Sequence, residues 1–211
     1  MSTHGERRGG VILCGGKSSR MGQDKAQLPF GDQTLLGRTV RLASLAIPLE
    51  NLVCVAAAGQ RLPSLPGGVV VVRDPQPGLG PLAAVGWGLE AAARTCDAAL
   101  VIGCDYPLLT TPFVELLFAS LAEGDCVAGQ VGGRVHPLPA VMRVGLADAA
   151  RSLLASGESS LRSLLTVRQC RWLQEDELRR ADPLLQSLVN CNDDAAYQRA
   201  LGLAGCRCDT N

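Results

Sequence analysis

The sequence predicts an α/β domain of three layers, with helices covering both faces of a mostly parallel sheet. Two observations carry this. Four apolar runs, at residues 11–14, 52–57, 69–72 and 98–103, lack the polar alternation of a half-exposed strand and read as strands covered on both faces. Segments of helical period separate them, the pattern of βαβ units around a parallel sheet.

Each element follows in order. Residues 11–14 (VILC) form the first buried strand, stopped by Gly15 and Gly16. Across residues 33–46, Leu35, Leu36, Val40, Leu42, Ala43 and Leu45 recur with a mostly helical period, and Pro48 ends that helix. Residues 52–57 are strand-like. Residues 69–72 are a wholly apolar strand closed by Arg73, Asp74 and Pro75. Pro81 stands near the start of the next helix, a favoured place for proline, and that helix runs to about Arg94. Residues 98–103 are a buried strand ended by Cys104 and Asp105, and residues 111–122 form the following helix. The second half is less regular. It predicts strands at 125–130 and 136–143, helices at 144–155 and 161–167, an edge strand at 169–174 and a last helix at 193–203. Residues 63–68 are a turn-rich loop within one domain, 9–203, flanked by tails at 1–8 and 204–211.

Composition narrows the function classes. The 211 residues suit one medium domain, and 47% hydrophobic content supports a sizeable core. Lysine plus arginine and aspartate plus glutamate both number 20, so no global basic field draws the chain to nucleic acid or an anionic membrane. No apolar run reaches the ~18 residues of a spanning helix. The polar start, MSTHGERRGG, lacks a signal-peptide core, and the expected location is cytoplasmic. The nine cysteines include no C-x-x-C and read as reduced core thiols; Cys206 and Cys208 form a C-x-C near the end.

The loop after the first strand carries the chemistry. Gly15, Gly16, Arg20 and Lys25 sit in a stretch well beyond the usual ~2–6 residues of such connections. Glycines let backbone N–H groups approach phosphate oxygens, and arginine and lysine neutralise the charge. The spacing is neither a P-loop nor the G-x-G-x-x-G fingerprint. Asp105 follows the 98–103 strand at its carboxyl end, where ligands of open α/β sheets bind. Such a carboxylate suits either a divalent metal or a helix cap. Asp74 and the run PGLGPLAAV form a further loop entering a helix. Asn190 and Asn192 precede the last helix, where Asn192 or Asp193 suits the N-cap. His136, beside Arg134, is a lone histidine, a type more often structural than functional.

The opening loop resembles the signature G-G-x-S-x-R-M-G-x-D-K of the MobA-like nucleotidyltransferases, matched at Gly15, Gly16, Ser18, Arg20, Met21, Gly22, Asp24 and Lys25. Three further blocks are similar and keep the family's order. Asp74, Gly78, Gly80, Pro81, Leu82 and Ala83 match one, with Ala84 in place of a glycine. The run CDYPLL matches a second. Asn190, Asn192 and Asp194 match a third, in which Asp193 replaces a threonine or serine and no proline follows. His136-Pro137 and Gly157-Glu158 fit shorter family segments.

The resemblance implies a Rossmann-like sheet of the nucleotide-diphospho-sugar transferase type and a nucleotidyl transfer with Mg²⁺ as cofactor. It assigns nucleotide binding to Leu13, Cys14, Gly15, Gly16, Lys25, Asp74 and Asp105, with Asp74 near the guanine and ribose. Catalytic charge stabilisation falls to Arg20, Lys25 and Asp105, and Asp105 holds the metal. Arg134, His136, Asn190 and Asn192 belong to the acceptor side. The implied partners are GTP, molybdopterin or Mo-molybdopterin, and a molybdenum-insertion protein or target molybdoenzyme. The implied reaction transfers GMP from GTP to the phosphate of molybdopterin and releases pyrophosphate. A phosphate nucleophile is already ionised at pH 7, so no general base is required. Its rivals are transfer of CMP to the same acceptor, a sugar-phosphate nucleotidyltransferase, and a catalytically silent nucleotide-binding module. The Cys14-Gly15-Gly16 start and the Asp24-Lys25 pair favour GTP over CTP.

Overall fold

The computed structural model describes residues 6–15, 24–76, 78–122, 124–168 and 170–205. The first half contributes β1 (Arg8–Leu13), β2 (Pro29–Phe30), β3 (Gln33–Thr34), α1 (Leu35–Ala43), β4 (Leu52–Ala56), β5 (Val70–Arg73), α2 (Pro81–Ala92) and β6 (Ala98–Gly103). The second contributes α3 (Thr111–Leu121), β7 (Cys126–Val131), β8 (Arg134–Arg143), α4 (Leu146–Ala155), α5 (Leu161–Val167), β9 (Arg171–Leu173), α6 (Glu175–Ala181) and α7 (Asp194–Leu203).

Seven strands form the central sheet in the order β5-β4-β1-β6-β8-β7-β9. Strands β5, β4, β1 and β6 run parallel, β8 is antiparallel to both β6 and β7, and β9 is parallel to β7. Strand β8 alone therefore opposes the others, and the sheet is mostly parallel.

Alternation along each central strand feeds both faces. Ile12, Cys14, Cys54 and Ile102 point to one side, where Leu36 and Val40 of α1 and Phe113 and Leu117 of α3 cover them. Val11, Val53, Val55 and Val101 point to the other, against Leu82, Val85 and Leu89 of α2, Ala150 of α4 and Leu164 of α5. Helix α2 comes close to the sheet at Gly88, where a Cβ would lie 2.2 Å from Val11 Cγ1. A third, smaller cluster packs Tyr197 and Leu201 of α7 against Phe30 and Leu35. The Tyr197 hydroxyl donates to the Pro29 carbonyl. This packing brings the segment before α7 back beside Lys25.

Several elements differ from the expectation. Strand β5 is an edge strand with Val70 and Val71 exposed, because an apolar run does not distinguish a central from an outer position. The expected helix at 33–46 is shorter. Thr34 belongs to the β2–β3 hairpin and caps α1 by accepting from Gly37 N. Helix α6 has no counterpart among the elements the sequence predicts. Its sequence EDELRRA buries only Leu178, and it is held by a Gln174–Glu177 capping box with acids in the first turn and arginines in the last. Strand β1 starts at Arg8, and Arg7 pairs with Asp97 at 2.7 Å, holding that carboxyl below its ordinary range.

The seven described cysteines are reduced and buried. Among the described residues, no helix is long and apolar enough to cross a membrane.

Candidate active site

The site lies beyond the carboxyl ends of β1 and β6. After β1 the chain returns at Asp24, which caps a 3-10 turn at Lys25–Gln27 by accepting from Ala26 N at 3.0 Å. That turn directs Lys25 inward. Its ammonium donates to Asp105 Oδ2 at 2.7 Å and to Asn192 Oδ1 at 2.8 Å. The Lys25 and Asp105 side chains are 19% and 14% exposed, so water screens the pair only partly.

Asp105 is itself fixed by its neighbours. Its carbonyl accepts from Cys191 N at 2.8 Å, which ties the end of β6 to the segment before α7. Gly103, the last residue of β6, makes room for the carboxylate, since a Cβ there would stand 2.4 Å from Asp105 Oδ1. The 182–192 segment is anchored from within and by the residue before α3. Buried Asp182 accepts from Ser187 N at 2.7 Å, and the Ser187 hydroxyl accepts from Thr110 N at 3.0 Å.

The structure thus joins three sequence-distant blocks in one ion-pair and hydrogen-bond cluster: Lys25, Asp105 and Asn192. Asp74 follows β5 at the same end of the sheet, two strand spacings (about 10 Å) from β1. Its N–H donates to the Ala56 carbonyl at 2.8 Å and its Oδ1 accepts from Gln76 N at 2.9 Å.

Asn190 donates from Nδ2 to the Tyr106 hydroxyl at 3.3 Å, and that hydroxyl donates to the Leu138 carbonyl at 3.2 Å. Burial pushes the Tyr106 phenol up to about 12, so it stays a neutral donor. Arg134 and His136 start β8. Because β8 opposes β6 with Val101 opposite Ala140, they extend past the end of β6. Burial first, and then the Arg134 charge, lower the His136 pKa from its ordinary value, favouring the neutral imidazole.

Leu13 and Cys14 are buried at the end of β1. The Leu13 carbonyl accepts from Cys104 N at 3.0 Å, and Cys14 N donates to the Val55 carbonyl at 2.8 Å, so they shape the strand end. The Cys14 thiol is pushed up chiefly by a hydrogen bond with Cys54, and the Cys104 thiol chiefly by burial. Neither suits a nucleophile. Gly15 is exposed at the mouth. Gly16 and Arg20 lie outside the described residues. Asp193, not Asn192, caps α7, accepting from Ala196 N at 2.8 Å, which leaves Asn192 for Lys25.

Sequence reasoning missed Gly103, Tyr106 and Gln60, the last of which donates from Nε2 to the Asp24 carboxylate at 2.9 Å. Gly103 and Tyr106 flank the CD pair and were visible only as a strand end and a variable position. Gln60, in the loop after β4, had no motif to mark it.

Comparison with known proteins agrees with this arrangement. A Mycobacterium tuberculosis protein named probable molybdenum cofactor guanylyltransferase is 42% identical over 160 residues, covering 74% of this chain and 78% of the relative. The structure of molybdopterin-guanine dinucleotide biosynthesis protein A from Archaeoglobus fulgidus superposes with a TM-score of 0.76 at 18% identity, covering 92% of this chain and 97% of that one. A Mycobacterium tuberculosis protein solved with manganese superposes with a TM-score of 0.58 at 17% identity, covering 93% and 98%. These likenesses give the sheet the nucleotide-diphospho-sugar transferase fold. The profile of the MobA-like NTP transferase domain matches residues 10–178, a span that holds Lys25, Asp74 and Asp105, and the chain belongs to that nucleotidyltransferase family.

Proposed function

We propose that this nucleotidyltransferase acts in molybdenum cofactor biosynthesis, moving GMP from GTP to the phosphate of molybdopterin, or Mo-molybdopterin, and releasing pyrophosphate. The observation that carries the reading is the Lys25–Asp105–Asn192 cluster at the mouth of the sheet, in a chain 42% identical to a relative named for guanylyl transfer.

Nucleotidyl transfer needs positioning and charge neutralisation more than covalent work. Lys25 exchanges Asp105 for the triphosphate and neutralises charge on the departing pyrophosphate, with Arg20 in the same role. Gly15 and Gly16 allow close approach of the backbone, while Leu13 and Cys14 form the floor. Asp74 accepts from guanine N–H groups or a ribose hydroxyl at a distance of two strands from the phosphates. Arg134, His136, Asn190 and Asn192 serve the acceptor side. His136 is not the base, because the acceptor phosphate is already ionised.

The donor set fits Mg²⁺. Among the described residues, no three or more histidine, cysteine, aspartate or glutamate side chains gather as a metal cage. Mg²⁺ needs none, since it binds through one or two carboxylates, waters and substrate phosphates. Asp105 is that carboxylate, and the bound ion would supply charge neutralisation at the phosphates. The product would pass to a molybdenum-insertion protein or a target molybdoenzyme.

Pyrophosphate release is the test. With molybdopterin and Mg²⁺, GTP should support turnover while CTP and ATP do not, because a site built to bond guanine donors leaves groups unpaired against other bases. Equal turnover with CTP would overturn the guanylyl assignment, and no release with any nucleotide would overturn the enzyme reading.

A further inference from the structure

Gln60 has no place in the motifs, yet among the described residues of the site none makes more side-chain bonds across the chain. Its Nε2 donates to both Asp24 oxygens, each at 2.9 Å, and to the Cys14 carbonyl at 2.9 Å. Its Oε1 accepts from Ala57 N at 2.9 Å. An amide nitrogen carries two hydrogens. One serves Cys14 and the other is shared by the carboxylate, so both donors are used. Cys14 and Asp24 are the two stems of the phosphate-loop stretch. One side chain therefore ties both stems to the end of β4.

The clamp is itself braced. Gln60 N donates to the Ala57 carbonyl at 3.1 Å, and the Arg73 guanidinium at the end of β5 donates to the Gln60 carbonyl. A turn residue would need only the local bonds to Ala57. The bonds to Cys14 and Asp24 cross 46 and 36 residues of sequence. They also account for Asp24. Its carboxylate accepts from Ala26 N and from Gln60, so it serves its own turn and the clamp.

We propose that Gln60 is the positioning residue of this site: by holding Asp24 against the end of β1 it sets the turn that aims Lys25 at Asp105. The proposal rests on the reading of Lys25 as the phosphate-binding cation. Gln60 touches no reacting group and acts through Asp24.

The test uses a swap and a label. Lys17 and Lys25 are the only lysines, so acetylation followed by peptide mass analysis reports each separately. The variants are Gln60→Asn, which keeps the amide but shortens its reach, Gln60→Glu, which opposes two carboxylates, and Gln60→Glu with Asp24→Asn, which restores a donor–acceptor pair with its polarity reversed.

Lys25 should acetylate slowly in the wild type and about 5-fold or more faster in each single variant, with kcat/KM for GTP falling about 10–100-fold, the scale of a side chain misplaced by an ångström. The double variant restores the 24–60 pair but leaves a carboxylate oxygen against the Cys14 carbonyl, so both values should recover by about 3-fold or more relative to Gln60→Glu alone without reaching the wild type, because the coupling resides in the pair. Folded single variants with wild-type labelling would overturn the proposal. So would a double variant as impaired as Gln60→Glu alone. If Gln60→Glu or the double variant does not fold, Gln60→Asn, which adds no charge, decides: faster labelling of Lys25 supports the clamp, and wild-type labelling overturns it. Labelling needs no nucleotide. An inactive wild type would therefore defeat the functional reading, while the labelling rates would still decide the role of Gln60.

Discussion

Lys25 and Asp105 neutralise one another across 2.7 Å while mostly shielded from water. This pairing, under the proposed function, holds the lysine ready for a phosphate, and the carboxylate it leaves becomes available to a metal. Under the proposed function, Asp105→Asn should lower turnover by about 10²–10³, the usual loss for one electrostatic element, with a much smaller change in melting temperature. Gly103→Ala should act on the same carboxylate without altering any charge. Its Cβ would stand 2.4 Å from Asp105 Oδ1, so the side chain must move. We expect pyrophosphate release to fall about 10-fold or more, in line with the cost of misplacing a reacting group. Wild-type turnover in Gly103→Ala would show that Asp105 tolerates displacement. At this scale Lys25, Asp105 and Asn192, which the structure brings together, are marked in the sequence by charge and spacing. Gly103, Tyr106 and Gln60 are not, because their contribution is the space or the bond they give to another residue.

Among the elements, helix α2 shows how closely sequence and packing are matched. Alanine is about 1 kcal/mol better than glycine inside a helix. At Gly88 that gain loses to sterics, since a Cβ would lie 2.2 Å from Val11 Cγ1 and 3.0 Å from Val55 Cγ2, both on strands of the sheet. Overpacking of this kind costs about 1–3 kcal/mol, so Gly88→Ala should be destabilised by that amount in urea unfolding. A neutral or stabilised variant would mean that α2 shifts freely on the sheet. The strands β4 and β6 and the helices α2, α3 and α5 were legible because their apolar patterns are long and regular. Helix α6 was not, since one buried leucine in seven residues leaves no periodic signal, and a capping box holds it instead. The edge position of β5 was also hidden. Apolar content reports burial in general, and only the strand order decides which run has no neighbour.

For the whole molecule, the site is a product of assembly. Asp105 and Asn192 lie 80 and 167 residues from Lys25 along the chain, and the three meet because β1 and β6 are adjacent and α7 packs back on Phe30 and Leu35. A ligand that bridges these elements should stabilise the fold as a unit. At 100 times its dissociation constant, a ligand adds about 2.7 kcal/mol, and a domain of this size gains roughly 2–4 °C per kcal/mol, so GTP with Mg²⁺ should raise the melting temperature by roughly 5–10 °C. CTP and ATP should raise it less at equal concentration; equal shifts would mean that the base is not read. The sequence by itself determined the fold class, the family and the chemical identity of the lysine, aspartates and asparagines, because apolar period, glycine loops and charged motifs are local properties. Only the tertiary structure decided that Asn192 bonds Lys25 while Asp193 caps α7, that Tyr106 links Asn190 to β8, and that Gln60 holds both stems of the opening loop. Those pairings depend on distances between strands and helices, which packing sets and local pattern does not record.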